Sequence, residues 1–467
     1  MPRRREPGWP RVILTRRGWL TYDEIQPGDE TIGYNGESGR SEWTPITAVH
    51  YYEDAPLIRL SNKTWEAACT PHHRWAADHW KHVGKKGRQG RTQNEYTREG
   101  VFVEALHITT RHSLRLAAEA ETGEGPAISL QEAELLGWVL GDGWVAYPKS
   151  RTPGSTHWRT QRGTRPSIRL GQAKPEHVKR IDELVAGLLF TRTVRQMRTP
   201  AGAPGLPLVT WEFHRPYSAE LLKRSGYDHE NPVPFVLSLS PTQREAFLRG
   251  VHGADGGYAG DGEGFGDRGY HGYARTKVYY QNDGPQQEAI ILAIYLSGYR
   301  PGIQVKNNSG KKIGRWTVST THAVISETRP FIGGEKVRRE QIENAPVWCV
   351  TTGLGSWTMR QGRNVMLTGN SFNWYDQGGV LPPGVTMAVN NTGRNERVVP
   401  PCGDDAVLAE LKRQNMMTRE QNLLLAQQLA VARRAPAQSG ISFARTINGA
   451  SARAVAHSAY AVRRPIA

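Results

Sequence analysis

Polar and apolar positions alternate in short runs early in the chain, change period in the middle, and then return to alternation. Val12-Ile13-Leu14-Thr15 and Ile32-Gly33-Tyr34 read as strands, with Ile25-Gln26-Pro27-Gly28-Asp29-Glu30 as a turn between them. Positions 44–52 alternate, and Ala55-Pro56-Leu57-Ile58-Arg59-Leu60 continues the pattern. Residues 84–100 are polar and basic, which predicts a loop. From 128 to 340 a helical period takes over at 129–140, 174–189, 241–251 and 286–298, with strands such as 312–319 between. Residues 346–370 return to short strands with Gly turns. A β texture that stops and resumes predicts one fold interrupted by another. After Ser371 come a Gly/Pro loop at 378–384 and a helix over 406–434, with Asp404 and Asp405 as cap candidates and Pro436 beyond it. The tail from Ala437 is rich in Ala, Arg and Ser and predicts a mobile end.

Composition narrows the partners. The 467 residues fit about three domains. Fifty Gly and 29 Pro favour turn-rich β structure over long helical bundles, and 14 Trp with a 38% hydrophobic share can fill cores. Lys and Arg number 60 against 44 Asp and Glu, a net charge of +16. That balance points to a polyanion, and to DNA before membrane. No apolar run is long enough to span a bilayer, and Met1-Pro2-Arg3-Arg4-Arg5 does not open a secretory signal. The three Cys (Cys69, Cys349, Cys402) form no Cys-x-x-Cys pair, which argues against a disulfide scaffold or structural zinc. A reducing, cytoplasmic setting suits a reactive thiol.

Three distant stretches carry acyl-transfer chemistry. Thr70-Pro71-His72-His73-Arg74-Trp75 holds a hydroxyl and an imidazole at a spacing that can aim both at one amide. Cys349 lies in the apolar Val347-Trp348-Cys349-Val350, and its thiolate would be a strong nucleophile. Val365-Met366-Leu367-Thr368-Gly369 feeds Asn370-Ser371. An Asn side chain can attack its own carbonyl and cut the chain after itself. A following Ser can accept an acyl group and pass it to a free amine. Thr-x-x-His-x-Trp, a lone strand Cys and Thr-Gly-Asn before Ser resemble the motif set of class 3 inteins, self-splicing elements without a nucleophile at their first residue. The resemblance implies that Thr70 and His73 activate the upstream junction, and that Trp75 shields and positions the site. It implies that Cys349 forms a branched thioester, that Asn370 cyclises, and that Ser371 begins the downstream host segment. Thr368 belongs to the same centre, and no cofactor is implied for splicing. Two departures stand out. Gly369 occupies the place where most inteins have His, and no His follows in the Cys349 motif. About ten residues precede Val12, so the upstream host segment is either nearly absent or cut short.

The middle of the chain holds a second signature. Leu135-Leu136-Gly137-Trp138-Val139-Leu140-Gly141-Asp142-Gly143 and Leu248-Arg249-Gly250-Val251-His252-Gly253-Ala254-Asp255-Gly256 repeat one pattern, their Asp residues 113 apart. Small residues let two helices pack backbone to backbone. Each helix ends in Asp-Gly, with the Gly expected in the left-handed terminating conformation. Asp142 and Asp255 then meet at two helix C-termini, a poor place for anions unless a cation joins them. Both stretches resemble the LAGLIDADG motif of homing endonucleases of the type found inside inteins. The resemblance implies metal-dependent cleavage of a double-stranded DNA site, with Mg²⁺ held by Asp142 and Asp255. Arg151, Trp158, Arg159, Arg162, Arg165 and Arg169 form one candidate DNA-binding set. Lys306, Lys311, Lys312 and Arg315 form another. His252 and Gly253 depart from the usual acidic and small pair.

The expected fold is mixed. Residues 1–117 and 341–370 form an all-β, horseshoe-like Hint domain, interrupted at 118–340 by an α/β LAGLIDADG endonuclease domain. Residues 371–467 form a loop-plus-helix host segment. Phe372-Asn373-Trp374-Tyr375-Asp376-Gln377-Gly378-Gly379, with Asn391-Thr392-Gly393-Arg394, resembles the C-terminal region of actinophage tail tape-measure proteins, which implies a phage-encoded host segment destined for tail assembly. The competing readings are a tail structural fragment carrying an inert intein, and an endonuclease riding on a broken β scaffold.

Overall fold

The computed structural model describes residues 11–88, 91–151, 158–160, 165–198, 203–259, 276–307, 312–313, 316–317 and 321–369. The chain divides into two compact units, Met1–Phe372 and Asn373–Ala467, and every described residue belongs to the first. The loop expected at 378–384, the helix expected at 406–434 and Cys402 lie outside the described residues.

The two ends of this unit weave into one nine-stranded sheet. Its path runs Arg338–Thr352, Arg40–Ser61, Glu30–Asn35, Arg11–Thr15, Ser356–Gln361, Asn364–Gly369. The first strand thus sits between one from the front of the chain and one from the far end. Val12 lies opposite Arg360, and Thr15 opposite Thr31. The long ribbon of Arg40–Ser61 with Arg338–Thr352 is interrupted by register shifts near Ala345 and Thr352. Such irregularities bend a strand and increase its twist.

Residues 84–100 correct an expectation. Arg74–Arg88 and Arg91–Glu104 pair as a long antiparallel hairpin where a loop was predicted. Beyond its buried base, residues 81–83 and 96–100 are all exposed, which leaves no hydrophobic alternation there to read.

The middle of the chain is built twice. Helix α1 (Leu130–Asp142) leads into a four-stranded sheet of Gly143–Ala146, Ser167–Gln172, Leu208–Phe213 and Phe190–Arg195. Helix α2 (Pro175–Leu184) follows the second of these strands. It is shorter than predicted, because the chain turns at Gly187 with φ +84°. Helices α3 (Arg215–Ser225) and α4 (Val233–Ser238) were not predicted. Each carries a proline in its first helical positions, where a missing N–H costs nothing. Helix α5 (Pro241–Asp255) then opens a second four-stranded sheet of Gly256–Tyr258, Lys277–Asn282, Thr321–Thr328 and Arg300–Asn307. Helix α6 (Pro285–Leu296) lies between its second and third strands in chain order. The strand expected over 312–319 is two short paired pieces, Lys312–Ile313 and Trp316–Thr317. Helices α1 and α5 start alike, on capping boxes: Ser129 with Glu132, and Ser240 with Gln243.

Helix α6 joins the repeated segment to the woven sheet. Residues 289–296 are all buried, as expected of a helix apolar on every side. Its core includes Leu14, Ile32 and Val365 of the sheet. The Tyr295 hydroxyl bonds the Thr358 Oγ1 at 2.9 Å, and Thr358 donates onward to the Ile32 carbonyl. Glu288 accepts from the Trp19 indole at 2.6 Å and pairs with Arg360.

Candidate functional sites

The first site lies where the woven sheet meets the base of the long hairpin. Thr70, His73, Trp75, Cys349 and Thr368 all line one small cavity of about 30 Å³, together with Val12, Cys69, Trp357 and others. The predicted residues come from three segments, which the sheet brings together. Thr70 and His73 lie in the turn between Glu66–Cys69 and Arg74–Arg88, where the His73 N–H bonds the Thr70 carbonyl. Trp75 is buried, edge-on to Trp65 at 5.5 Å and to His73 at 5.3 Å. Wedged there, it fixes the tilt of the imidazole. His73 Nε2 lies 2.5 Å from Thr368 Oγ1, a contact that the motif spacing alone did not predict. Cys349 is buried opposite His50 in the bent ribbon. Burial pulls the His50 imidazole pKa down, favouring its neutral form, and its Nε2 meets the Thr351 hydroxyl at 3.0 Å. Burial, then the neighbouring Cys349, pushes the Tyr52 hydroxyl pKa up, so Tyr52 keeps its proton. Tyr52, His50 and Trp357 were read only as strand residues. The alternation of their strands was visible, but which cavity they would approach was not.

Gly369 has a structural reason to be glycine. It ends Asn364–Gly369 opposite Ser356, and a Cβ there would run into the Arg74 carbonyl, with the Phe102 ring 3.4 Å away. The histidine expected at this place by family analogy has no room. Asn370 and Ser371 lie outside the described residues.

The second site lies where α1 and α5 end side by side. Cβ atoms at Gly137 and Gly250 would each strike the facing helix backbone, and one at Gly141 would lie 2.8 Å from an Asp255 carboxylate oxygen. The glycines therefore set how closely the acids approach. Gly143 and Gly256 are not left-handed, as was expected, but extended at φ −123° and −103°. They are small because each helix turns straight into a strand. A Cβ at Gly143 would lie 2.7 Å from Val139 Cα, and one at Gly256 would meet the His252 carbonyl.

Burial, then the charge of Asp255, pushes the Asp142 pKa up to about 6. Burial raises Asp255 as well, and the ammonium of Lys174 opposes the rise in both. Gln172 Nε2 donates to Asp142 Oδ2 at 2.8 Å. Sequence reasoning missed Gln172 and Lys174. Their only signal was a Gln-Ala-Lys-Pro run entering a helix. His252 Nε2 lies 2.9 Å from the Gly257 carbonyl, and its ring packs on Tyr258 and Tyr279. Among the described residues no group of three or more His, Cys, Asp or Glu could hold a metal. Two adjacent carboxylates still suit a hard divalent cation that completes its shell with water and phosphate oxygens.

Of the residues assigned to DNA, Arg165 is exposed. Arg169 pairs with Glu212 at 2.6 Å, so part of its charge is already compensated. Arg151, Trp158 and Arg159 lie on a paired hairpin, Lys149–Arg151 with Trp158–Thr160. Lys306 lies on Arg300–Asn307 and Lys312 on Lys312–Ile313. Arg162, Lys311 and Arg315 lie outside the described residues.

No family model and no curated protein matches the chain. Among solved structures it is similar to I-DmoI in complex with DNA and Mn, at 14% identity and a TM-score of 0.25, over 42% of this chain and 89% of that one. It is similar to the meganuclease I-SmaMI bound to uncleavable DNA, at 10% identity and a TM-score of 0.23, over 42% and 79%. A third similar structure is the DnaX mini intein from Spirulina platensis, at 15% identity and a TM-score of 0.14, over 21% and 82%.

Proposed function

We propose that the chain is a self-splicing element that carries a site-specific, metal-dependent DNA endonuclease. On this reading 1–117 and 341–370 form the splicing domain, 118–340 the endonuclease, and 371–467 a host segment. The observation that carries it is the convergence of Thr70, His73, Trp75, Cys349 and Thr368 on one cavity that Val12 also lines. Because Val12 lines this cavity, an upstream junction at the start of the splicing domain would present its carbonyl to the Cys349 thiol. The Cys349 sulfur attacks that carbonyl, the C–N bond breaks, and the departing nitrogen takes a proton from His73. Thr368 holds His73 in place through their hydrogen bond. The acyl group passes from Cys349 to the Ser371 hydroxyl. The Asn370 side-chain nitrogen then attacks its own carbonyl and severs the bond to Ser371. The freed Ser371 amine takes the acyl group from its own oxygen, and the two flanks are joined by an amide.

In the endonuclease, Asp142 and Asp255 would hold the divalent cation. When bound, Mg²⁺ or a similar ion stabilises charge on the scissile phosphate and acidifies a water. The chain's own contribution is orientation: Gln172 fixes the Asp142 carboxylate, and Lys174 supplies positive charge beside both acids.

Two experiments test the pair. With a fused upstream partner, Cys349→Ala should abolish upstream cleavage and ligation, while Asn370-dependent release persists in part. Ligated product at the wild-type level would refute the nucleophile. Asp142→Asn with Asp255→Asn should remove Mg²⁺-dependent cutting of plasmid DNA and leave release at Ser371 intact. Continued cutting would refute the metal site.

A further inference from the structure

A cleft of about 920 Å³ lies beside the Cys349 cavity, lined by the bent ribbon and by the strand Glu66–Cys69. Ala68 and Trp348 line both spaces. The first strand of the chain begins where the two meet. Its Arg11 lies opposite Gln361, which lines the cleft and accepts from the Ala68 N–H at 3.0 Å. Val12, the next residue, lines the cavity. The cleft also inverts the charge of the protein. Against a net charge of +16 it presents Asp23, Glu66, Glu340 and Glu343, with Arg59 as its one cation. All five are exposed, and Arg59 is taken by Glu340 at 3.1 Å. Among the described residues, Asp23, Glu66 and Glu343 pair with no cation. The Thr21 hydroxyl bonds Asp23 at 2.6 Å and holds its pKa below the ordinary carboxylate value. Glu343 falls in the register shift between Ile342 and Ala345. Among the described residues no three acids gather closely enough for one metal ion, so positive charge spread along a chain suits them better. Trp348, stacked on Trp357 at 5.6 Å, adds a ring face of the kind that guanidinium groups cover.

We infer that this cleft docks the basic stretch 1–5 through Arg3, Arg4 and Arg5, and so presents the upstream junction to Cys349. The inference rests on the splicing reading and adds what that site selects: a flank with arginines just ahead of the junction. Residues 1–10 lie outside the described residues, and their sequence and tether carry the argument. Arg5 precedes Arg11 by six residues, a reach of at most about 20 Å. The three guanidinium groups are therefore held near the rim of the cleft, and weak pairs suffice at such a high effective concentration. An exposed ion pair is worth about threefold in an equilibrium. Three of them favour the docked junction by about 30-fold, and loss of two costs about tenfold.

The test uses the full chain with a partner protein fused ahead of Met1, and follows upstream cleavage on denaturing gels. Glu66→Gln with Glu343→Gln should slow that cleavage about tenfold, with Tm and Asn370-dependent release at Ser371 unchanged. Arg3→Glu, Arg4→Glu and Arg5→Glu together should slow it at least as much. Adding Glu66→Lys and Glu343→Lys to that chain should restore most of the rate, a rescue that damaged folding would not give. The differences should shrink near 1 M salt, where the screening length is about 3 Å. A charge-reversed flank without effect, or a failed rescue, would overturn the inference and leave the nucleophile standing. No upstream cleavage in wild type would overturn both. A second readout needs no cleavage. In a Cys349→Ala chain, Arg4→Lys places an amine in the flank, and a carbodiimide joins amines to carboxylates. Peptide mapping should find position 4 joined to Asp23, Glu66 or Glu343 of the same chain. Joining only to acids elsewhere, or to a second copy, would overturn the docking.

Discussion

Replacing Gly369 with histidine looks like a repair by family analogy, since most inteins place His just before the terminal Asn. The structure gives the opposite expectation. A Cβ at Gly369 would collide with the Arg74 carbonyl and lie 3.0 Å from its carbon. That carbonyl cannot swing aside, because Arg74 is paired with Glu104 in the long hairpin. Overpacking of this kind costs about 1–3 kcal/mol. At roughly 2–4 °C per kcal/mol for a domain of moderate size, Gly369→His should lower Tm by about 2–12 °C. The strand must move away, and Thr368 moves with it. A displacement near 1 Å can cost about 10²-fold in a positioned reaction, so release of the segment beginning at Ser371 should slow. Intact mass spectrometry over a prolonged incubation reads the release, with Asn370→Ala as the uncleaved control. Gly369→Ala separates the Cβ from the imidazole and should show most of the Tm loss. A Gly369→His protein that melts with wild type and releases the fragment faster would refute the steric argument.

Two further substitutions test the contacts around the Cys349 cavity. Thr368→Val removes the hydroxyl partner of His73; it should cost about 1 kcal/mol in a denaturant titration and slow cleavage of a fused upstream partner. Tyr295→Phe removes the bond to Thr358, whose own bond to the Ile32 carbonyl remains. A loss of about 0.5–1.5 kcal/mol, with the tryptophans of the woven sheet and of the repeated segment unfolding in one transition, is expected. Separate transitions would show that the two parts fold independently.

Much of the Cys349 cavity was legible because its residues lie in motifs on or beside short strands, and an interrupted β texture already implied that the ends meet. The return of alternation at 346–370 carried that information. What could not be read was the side-chain pairing across the gap, such as His73 with Thr368. Nor could the steric ceiling over Gly369 be read, since it depends on a backbone carbonyl nearly 300 residues away. The acid pair was legible from its repeated Gly-rich lead. Gln172 and Lys174 were not: a polar residue ending a strand carries no sign of its partner, and Lys174, just before a helix, follows neither period. The outer part of the hairpin, over 84–100, was missed for a related reason: where its described side chains beyond the base are exposed, there is no hydrophobic pattern to read.

Helix α6 constrains how such a protein can change over generations. Its buried residues close the core over Leu14, Ile32 and Val365, and its polar contacts reach Trp19, Thr358 and Arg360. A deletion that excised 118–340 would strip that cover and leave an apolar floor open to water. Point changes at Asp142, Asp255 or Lys174 would silence the cutting chemistry proposed above and leave the floor covered. The inserted segment is therefore far easier to disarm than to discard, and its scaffold should outlast its chemistry in descendants of this chain.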